Sequence, residues 1–308
     1  MKHIFIINPK AGKVDKVAEI TAELKAFDGK IDYEIYVTKA QGDGAVYTRQ
    51  YLETHDEEET YRFYACGGDG SLHDVVNGAV GFDNAEVACY ASGSGNDFVK
   101  NFGGLEKFRN LENMVNGKAQ KIDLLKVGEK YCINILNYGF DGEVTFAMQK
   151  YKRMPGVSGP MAYNLATIRC FLFKMGCQIK LTLDDNVVFD GKGLLAAVAN
   201  GYCYGGGMYC APKAVVDDGL IDVCFVKKVP MLKAMGFFNT FKRGEHVDNE
   251  ELKEYIIYEK CKKVLIESPK PVAYALDGET FRSPRIELEM VPLALNFVVP
   301  AGEEEKAE

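Results

Sequence analysis

Four short apolar runs, each followed by a stretch of helical periodicity, organise the first part of the chain. Ile4-Phe5-Ile6-Ile7 stops at Asn8-Pro9, and over 14–27 the apolar residues Val17, Ile20, Leu24 and Phe27 recur at helical spacing. The alternation then repeats. Residues 33–37 predict a strand and 44–54 a helix; 61–66 predict a strand ending at Gly67-Gly68-Asp69-Gly70. A helix with Leu72, Val75 and Val76 on one side follows, then a fourth strand over 87–91 that stops at Ser92-Gly93-Ser94-Gly95. Strands separated by helices predict a parallel sheet with helices on its faces.

After Gly117 the rhythm changes. Segments 122–127, 131–140, 178–189, 193–200, 220–226, 263–267 and 285–299 read as strands joined by turns, and only 161–175 and 230–243 read as helices. A chain of 308 residues is long for one core. The expected organisation is an α/β domain over 1–122, a β-rich domain over 123–300 and a disordered acidic tail over 301–308. No internal repeat is present.

Composition narrows the setting. Hydrophobic residues make up 47% and charged residues 26%, an ordinary globular balance. No apolar stretch approaches the length of a membrane span, and the apolar run near the start is too short for a signal peptide. The nine cysteines are scattered without a CxxC pair, which suits reduced thiols in a cytoplasmic protein. Four separated histidines make no zinc signature. The net charge of −7 argues against nucleic acid as a partner but leaves room for a local basic face on an anionic membrane.

Candidate chemistry lies at the strand ends. In a parallel sheet the carboxyl ends of the strands share one edge, where ligands bind. The turns Asn8-Pro9-Lys10-Ala11-Gly12, Gly67-Gly68-Asp69-Gly70-Ser71 and Gly93-Ser94-Gly95-Asn96-Asp97 are therefore expected to converge. Glycine lets backbone N–H groups close on phosphate oxygens, and a helix N-terminus just beyond favours an anion. Ser71 and Ser94 offer hydroxyl donors, and Asp69 and Asp97 suit a magnesium ion carried by a nucleotide. Any one such turn alone is more often a plain strand-to-helix connection, but three of them, each at a strand end and two carrying Asp, point to phosphate. Neither GxxxxGK[ST] nor a full GxGxxG after a strand occurs.

The motifs NPKAG, GGDGS, SGSGNDF and LDGE, in this order from the first strand to about residue 300, resemble the diacylglycerol kinase catalytic-domain family. Its members include bacterial lipid kinases and the sphingosine and ceramide kinases, with NAD kinases and phosphofructokinases as distant relatives. Ser71 and Ser94 stand where threonine is usual, and His73 where asparagine is frequent. The resemblance implies two domains, an NAD kinase-like α/β domain and a β-sandwich domain, with the active site in the cleft between them. It implies an ATP-dependent lipid kinase of phospholipid biosynthesis, with diacylglycerol as first substrate. Asn8, Thr38, Gly67, Gly68, Asp69, Gly70, Ser71, Leu72, His73, Ser94, Gly95, Asn96 and Asp97 would bind ATP. Asp277, in Leu276-Asp277-Gly278-Glu279, matches the position of the general base, with Glu279 beside it. Val215, Asp218 and Leu220 match the ligands of a structural Mg2+, although an acidic turn between strands accounts for Asp218 equally well. Asn137, Gly139, Asp141 and Gly142 match a strand-to-helix junction near the cleft.

Residues 149–176 mix Lys150, Lys152, Arg153, Arg169 and Lys174 with Met154, Phe171, Leu172, Phe173 and Met175. That mixture suits peripheral docking on the inner face of the membrane, or a buried helix with a solvated basic flank. The alternatives to diacylglycerol are a sphingoid base or phosphatidylglycerol, an NAD kinase-like soluble substrate, or a silent nucleotide- or lipid-binding module. Homodimerisation is left open.

Overall fold

The computed structural model describes residues 1–11, 15–93, 95–152, 154, 156–173 and 176–302. Two compact units form: Met1–Leu124 with the described residues from Val291 onward, and Leu125–Met290. The sequence places one boundary at 122 and keeps the C-terminal strand in the second domain, whereas that strand ends in the first unit.

The first unit is built on β1 (Lys2–Ile7), α1 (Lys16–Leu24), β2 (Tyr33–Val37), α2 (Asp43–Thr54), β3 (Tyr61–Gly67), α3 (Asp69–Ala79), β4 (Ala85–Ala91) and α4 (Leu111–Val115). Asp15 caps α1 by accepting from Val17 N and Ala18 N, both at 3.1 Å. The four strands pair in parallel in the order β2-β1-β3-β4. Ile4 to Ile7, Phe63 to Cys66 and Val87 to Cys89 are essentially inaccessible. Continuous apolar runs are what a sheet covered on both faces requires.

The second unit contains the end of β5 (Lys118–Val127), then β6 (Lys130–Cys132), β7 (Ile135–Gly139), α5 (Phe140–Lys152), α6 (Gly159–Phe173), β8 (Cys177–Leu183) and β9 (Asn186–Ala199). β10 (Ile221–Lys227), α7 (Met231–Lys242), β11 (Ile256–Cys261), β12 (Lys263–Leu276) and most of β13 (Glu279–Val299) complete it. The long strands serve two layers. The first part of β9 pairs with β8, and Leu195–Ala199 pairs with β7 and β10. Likewise β12 pairs with β8 over Val264–Glu267 and with β7 over Tyr274–Leu276. Leu136, Tyr138, Leu181, Val198, Phe225 and Ile266 meet in the core of this antiparallel sandwich.

Several elements differ from the expectation. Residues 178–189 are not one strand, because Asp184 (φ 44°) and Asp185 (φ 71°) turn the chain into a hairpin. Residue 140, expected in a strand, begins the helix α5. Gly142 lies within that helix where an added Cβ would stand 2.3 Å from Ala273 O, so the glycine sets close helix–strand packing. β11 was not expected at all. Of the tail, 303–308 lies outside the described residues, and Ala301 is not loose: its N–H donates to Asn113 O at 2.9 Å.

Candidate active site

In the first unit the strand ends meet as the parallel register demands. Asn8 N donates to Cys66 O (3.0 Å), Thr38 N to Ile7 O (2.9 Å), and Ser92 N and Gly93 N to Gly67 O (3.0 and 2.9 Å). The turns after β3 and β4 approach backbone to backbone at Gly68 and Gly93. A Cβ on Gly93 would stand 2.3 Å from Gly68 Cα, and one on Gly67 would stand 2.1 Å from Ser71 Oγ. Beyond Gly68, the first turn of α3 presents the N–H groups of Asp69 and Gly70 at the positive end of the helix dipole, while Ser71 N donates to Gly68 O at 3.0 Å. Asn8 Nδ2 lies 3.4 Å from Ser71 Oγ, which joins the first turn to the same patch.

Asp69 clamps two of these turns together. Its Oδ2 accepts from Asn96 N at 2.9 Å and its Oδ1 from Asp97 N at 2.7 Å. Asn96, at φ 52°, returns Nδ2 to Gly67 O at 2.9 Å. A Cβ on Gly95 would stand 2.4 Å from Asp69 Oδ2, so glycine is needed for the clamp to close. Asp97 Oδ1 accepts from Lys100 Nζ at 2.6 Å. The two carboxylates expected to meet a nucleotide-borne magnesium ion are thus turned onto backbone N–H groups and an ammonium. As arranged they do not fit a protein-held ion, and the described residues contain no cluster of His, Cys, Asp or Glu that would hold one. Leu72 and His73, carried over as nucleotide contacts, are 2% and 3% exposed, so their side chains form the buried side of α3. Ser94 and Gly12 lie outside the described residues.

In the second unit Asp277 occupies the β12–β13 turn with φ 46°, ahead of Gly278 at 90°. Its carboxylate accepts from Ile133 N (3.0 Å), Asn134 N (3.0 Å) and Ile135 N (3.3 Å) and from the Cys132 thiol (3.1 Å). Burial pushes that thiol well up, so it stays protonated and donates. Glu279, two residues on, takes Lys130 Nζ at 3.1 Å. The loop after β6 therefore fixes Asp277 in one orientation.

The magnesium assignment at Val215, Asp218 and Leu220 meets a different arrangement. Asp218 Oδ1 accepts from Leu220 N at 3.0 Å, closing its own turn, and Oδ2 accepts from Lys260 Nζ at 2.6 Å. Lys260 also lies 3.2 Å from Asp222, whose side chain is 1% exposed. An ammonium already neutralises this turn, so the site does not fit a divalent cation.

One feature had no sequence signal beyond the Gly-Phe-Asp-Gly junction. The second unit holds an open apolar cavity of about 90 Å³, bordered by α5, α6, α7 and the β9–β11 sheet through Phe140, Phe171, Leu195, Phe237, Phe241 and Ile256. Asp141 also lines it. Tyr204 OH donates to Asp141, and burial pushes that carboxyl up from 3.8 to about 6. Gly139, at φ 86°, makes the approach possible, since a Cβ there would lie 2.7 Å from Leu194 O.

Residues 2–127 match the diacylglycerol kinase catalytic domain, and residues 134–299 match the YegS C-terminal NAD kinase beta sandwich-like domain. The chain is 26% identical over 306 residues to a "Probable lipid kinase YegS-like" protein of Enterobacter sp. (strain 638), covering 96% of this chain and 95% of that protein. It is 26% identical over 284 residues to the "Diacylglycerol kinase" of Bacillus subtilis (strain 168), covering 89% and 88%. A diacylglycerol kinase structure from Bacillus anthracis str. Sterne shares the fold with a TM-score of 0.70 at 19% identity, over 97% of this chain and 96% of that one. Both domain models, matched in sequence order and together spanning most of the chain, place it in the diacylglycerol kinase catalytic-domain family, among the lipid-kinase-type phosphotransferases.

Proposed function

We propose that this protein transfers the γ-phosphate of ATP to the hydroxyl of a membrane lipid, with diacylglycerol as substrate and phosphatidic acid as product. The observation that carries it is the pair of glycine turns locked by Asp69 at the carboxyl edge of the parallel sheet, which sets the positive N-terminal end of α3 there to receive an anion. The ATP phosphates, with their own magnesium ion as part of the substrate, would lie on Gly67–Ser71 and the turn after β4, bounded by Asn8 and Thr38. The lipid oxygen forms a bond to the γ-phosphorus, the bond to the β-phosphate bridging oxygen breaks, and ADP leaves. Asp277 takes the hydroxyl proton. Three backbone donors keep its carboxylate aimed. In a loose transition state, orienting the hydroxyl matters more than high basicity. The apolar cavity of the second unit supports an acyl-bearing substrate over a soluble one. Contact with the membrane would be peripheral, at its inner face; among the described residues no helix is long and apolar enough to cross it.

The test presents purified protein with ATP, magnesium and mixed micelles of diacylglycerol, phosphatidylglycerol or a sphingoid base, and identifies the product by mass spectrometry. Phosphatidic acid formed in step with ADP is the expected result. Phosphorylation of another lipid alone moves the substrate, and no lipid phosphorylation from any micelle sinks the proposal.

A further inference from the structure

Two helices that border the apolar cavity leave much of their own apolar surface uncovered. Among its described side chains α6 buries only Ala162, Ala166 and Cys170, spaced four apart, while Ile168 is 59%, Leu172 63% and Phe173 75% exposed. α7 has no buried side chain. Its Phe237 and Phe241 line the cavity, and its other side presents Leu232 at 80% and Met235 at 59% exposure. A soluble surface rarely keeps a contiguous apolar patch of this kind without a partner.

The surrounding charge selects the partner. No Asp or Glu occurs from 144 to 183 or from 223 to 244, in a chain whose net charge is −7. Lys228, ahead of α7, and Lys242, its last residue, are exposed. Lys233 reaches Glu254 at 3.3 Å and Arg243 reaches Glu245 at 2.7 Å, which are the acids facing this helix from the following segment. A second copy placed on the same patch would set cations against cations. An anionic bilayer offers apolar chains and opposite charge together.

We propose that α7 inserts into an anionic membrane surface together with α6, and that an acyl chain passes from the leaflet into the cavity these helices border. The proposal rests on the lipid-kinase function, and it adds α7 as an insertion element and names the route of the lipid.

Sedimentation of the full chain with vesicles, without ATP, tests docking apart from catalysis. The probes are phosphatidylcholine vesicles with and without phosphatidylglycerol. Leu232→Asp combined with Met235→Asp changes two exposed side chains, so the melting temperature should hold. Binding to phosphatidylglycerol vesicles should fall by at least about tenfold. Lys228→Glu with Lys242→Glu should weaken binding to anionic vesicles and leave binding to phosphatidylcholine unchanged. Turnover of a short-chain, water-soluble diacylglycerol should be untouched in both variants. Unchanged vesicle binding by the aspartate variant overturns the proposal, as does a loss of self-association with vesicle binding intact, which would make a second copy the occupant. If no lipid is phosphorylated while the aspartate variant still loses vesicle binding, the kinase function fails and the docking surface stands.

Discussion

A single methyl group separates the glycines of the phosphate turns into two kinds. At Gly93 an added Cβ would lie 2.3 Å from Gly68 Cα, against backbone that cannot yield; at Gly68 it would meet Gly93 Cα at an ordinary 3.5 Å. Gly93→Ala should therefore weaken ATP binding by at least about tenfold and lower the melting temperature, while Gly68→Ala stays within about threefold. Calorimetric titration of both variants decides this, and equal affinities would remove the role given to the turn contact. Asp277 carries two roles at once. Asp277→Asn keeps the shape, but its amide group would face one of the N–H donors of 133–135. We expect kcat to fall by about a hundred- to ten-thousand-fold and stability to fall by about 1–3 kcal/mol. A normal kcat with the stability loss alone would make Asp277 an anchor only and move the proton acceptor to Glu279.

At the scale of elements, the turn at Asp218 is closed by Lys260 on the neighbouring strand. Magnesium should leave the melting temperature of the parent unchanged. Lys260→Met should cost about 1–3 kcal/mol, because it leaves the buried Asp222 with Tyr258 OH at 2.7 Å and no cation. A magnesium-dependent rise in the parent would show that the ion displaces the ammonium. The start of α5 carries a pH dependence. Burial lifts Asp141 to about 6, so the folded state holds its proton more tightly than the unfolded chain. Its contribution is fully present below the ordinary value of 3.8 and is lost as pH rises through about 6. Asp141→Asn still accepts from Tyr204. It should stabilise the protein by up to about 3 kcal/mol near pH 8 and by little near pH 4, read from melting temperature against pH. A pH-independent difference would contradict the buried ionisation.

At the scale of the whole molecule, the last strand is what closes the first unit. Asn296 and Phe297 of β13 pair in parallel with Glu86 and Val87 of β4. Phe297, fully buried, packs on Phe98 at 5.2 Å, Phe102 at 5.1 Å and Phe108 at 6.2 Å between ring centres. Phe297→Ala should cost about 3–5 kcal/mol in a denaturant titration, although it lies more than two hundred residues from the glycine turns in sequence. A loss below about 1 kcal/mol would mean that the first unit is complete without its C-terminal strand.

The chain's own pattern determined the parallel sheet, the order of its strands and helices, and the turns at the strand ends. These are local properties: an apolar run, a period, a glycine after a strand. It did not determine α5, because 131–140 reads as one strand and the helix is implied only by a resemblance at the junction; only the backbone of Leu194 and Ala273 explains why Gly139 and Gly142 must be glycine. Nor did it determine what the carboxylates hold. Asp69 meets N–H groups 27 and 28 residues away, Asp218 meets an ammonium 42 away, and Asp277 meets a thiol 145 away. The apolar cavity likewise exists only where three helices and a sheet come together. A residue's chemistry is written in the sequence, but its partner is chosen by the packing that brings distant segments within hydrogen-bond reach.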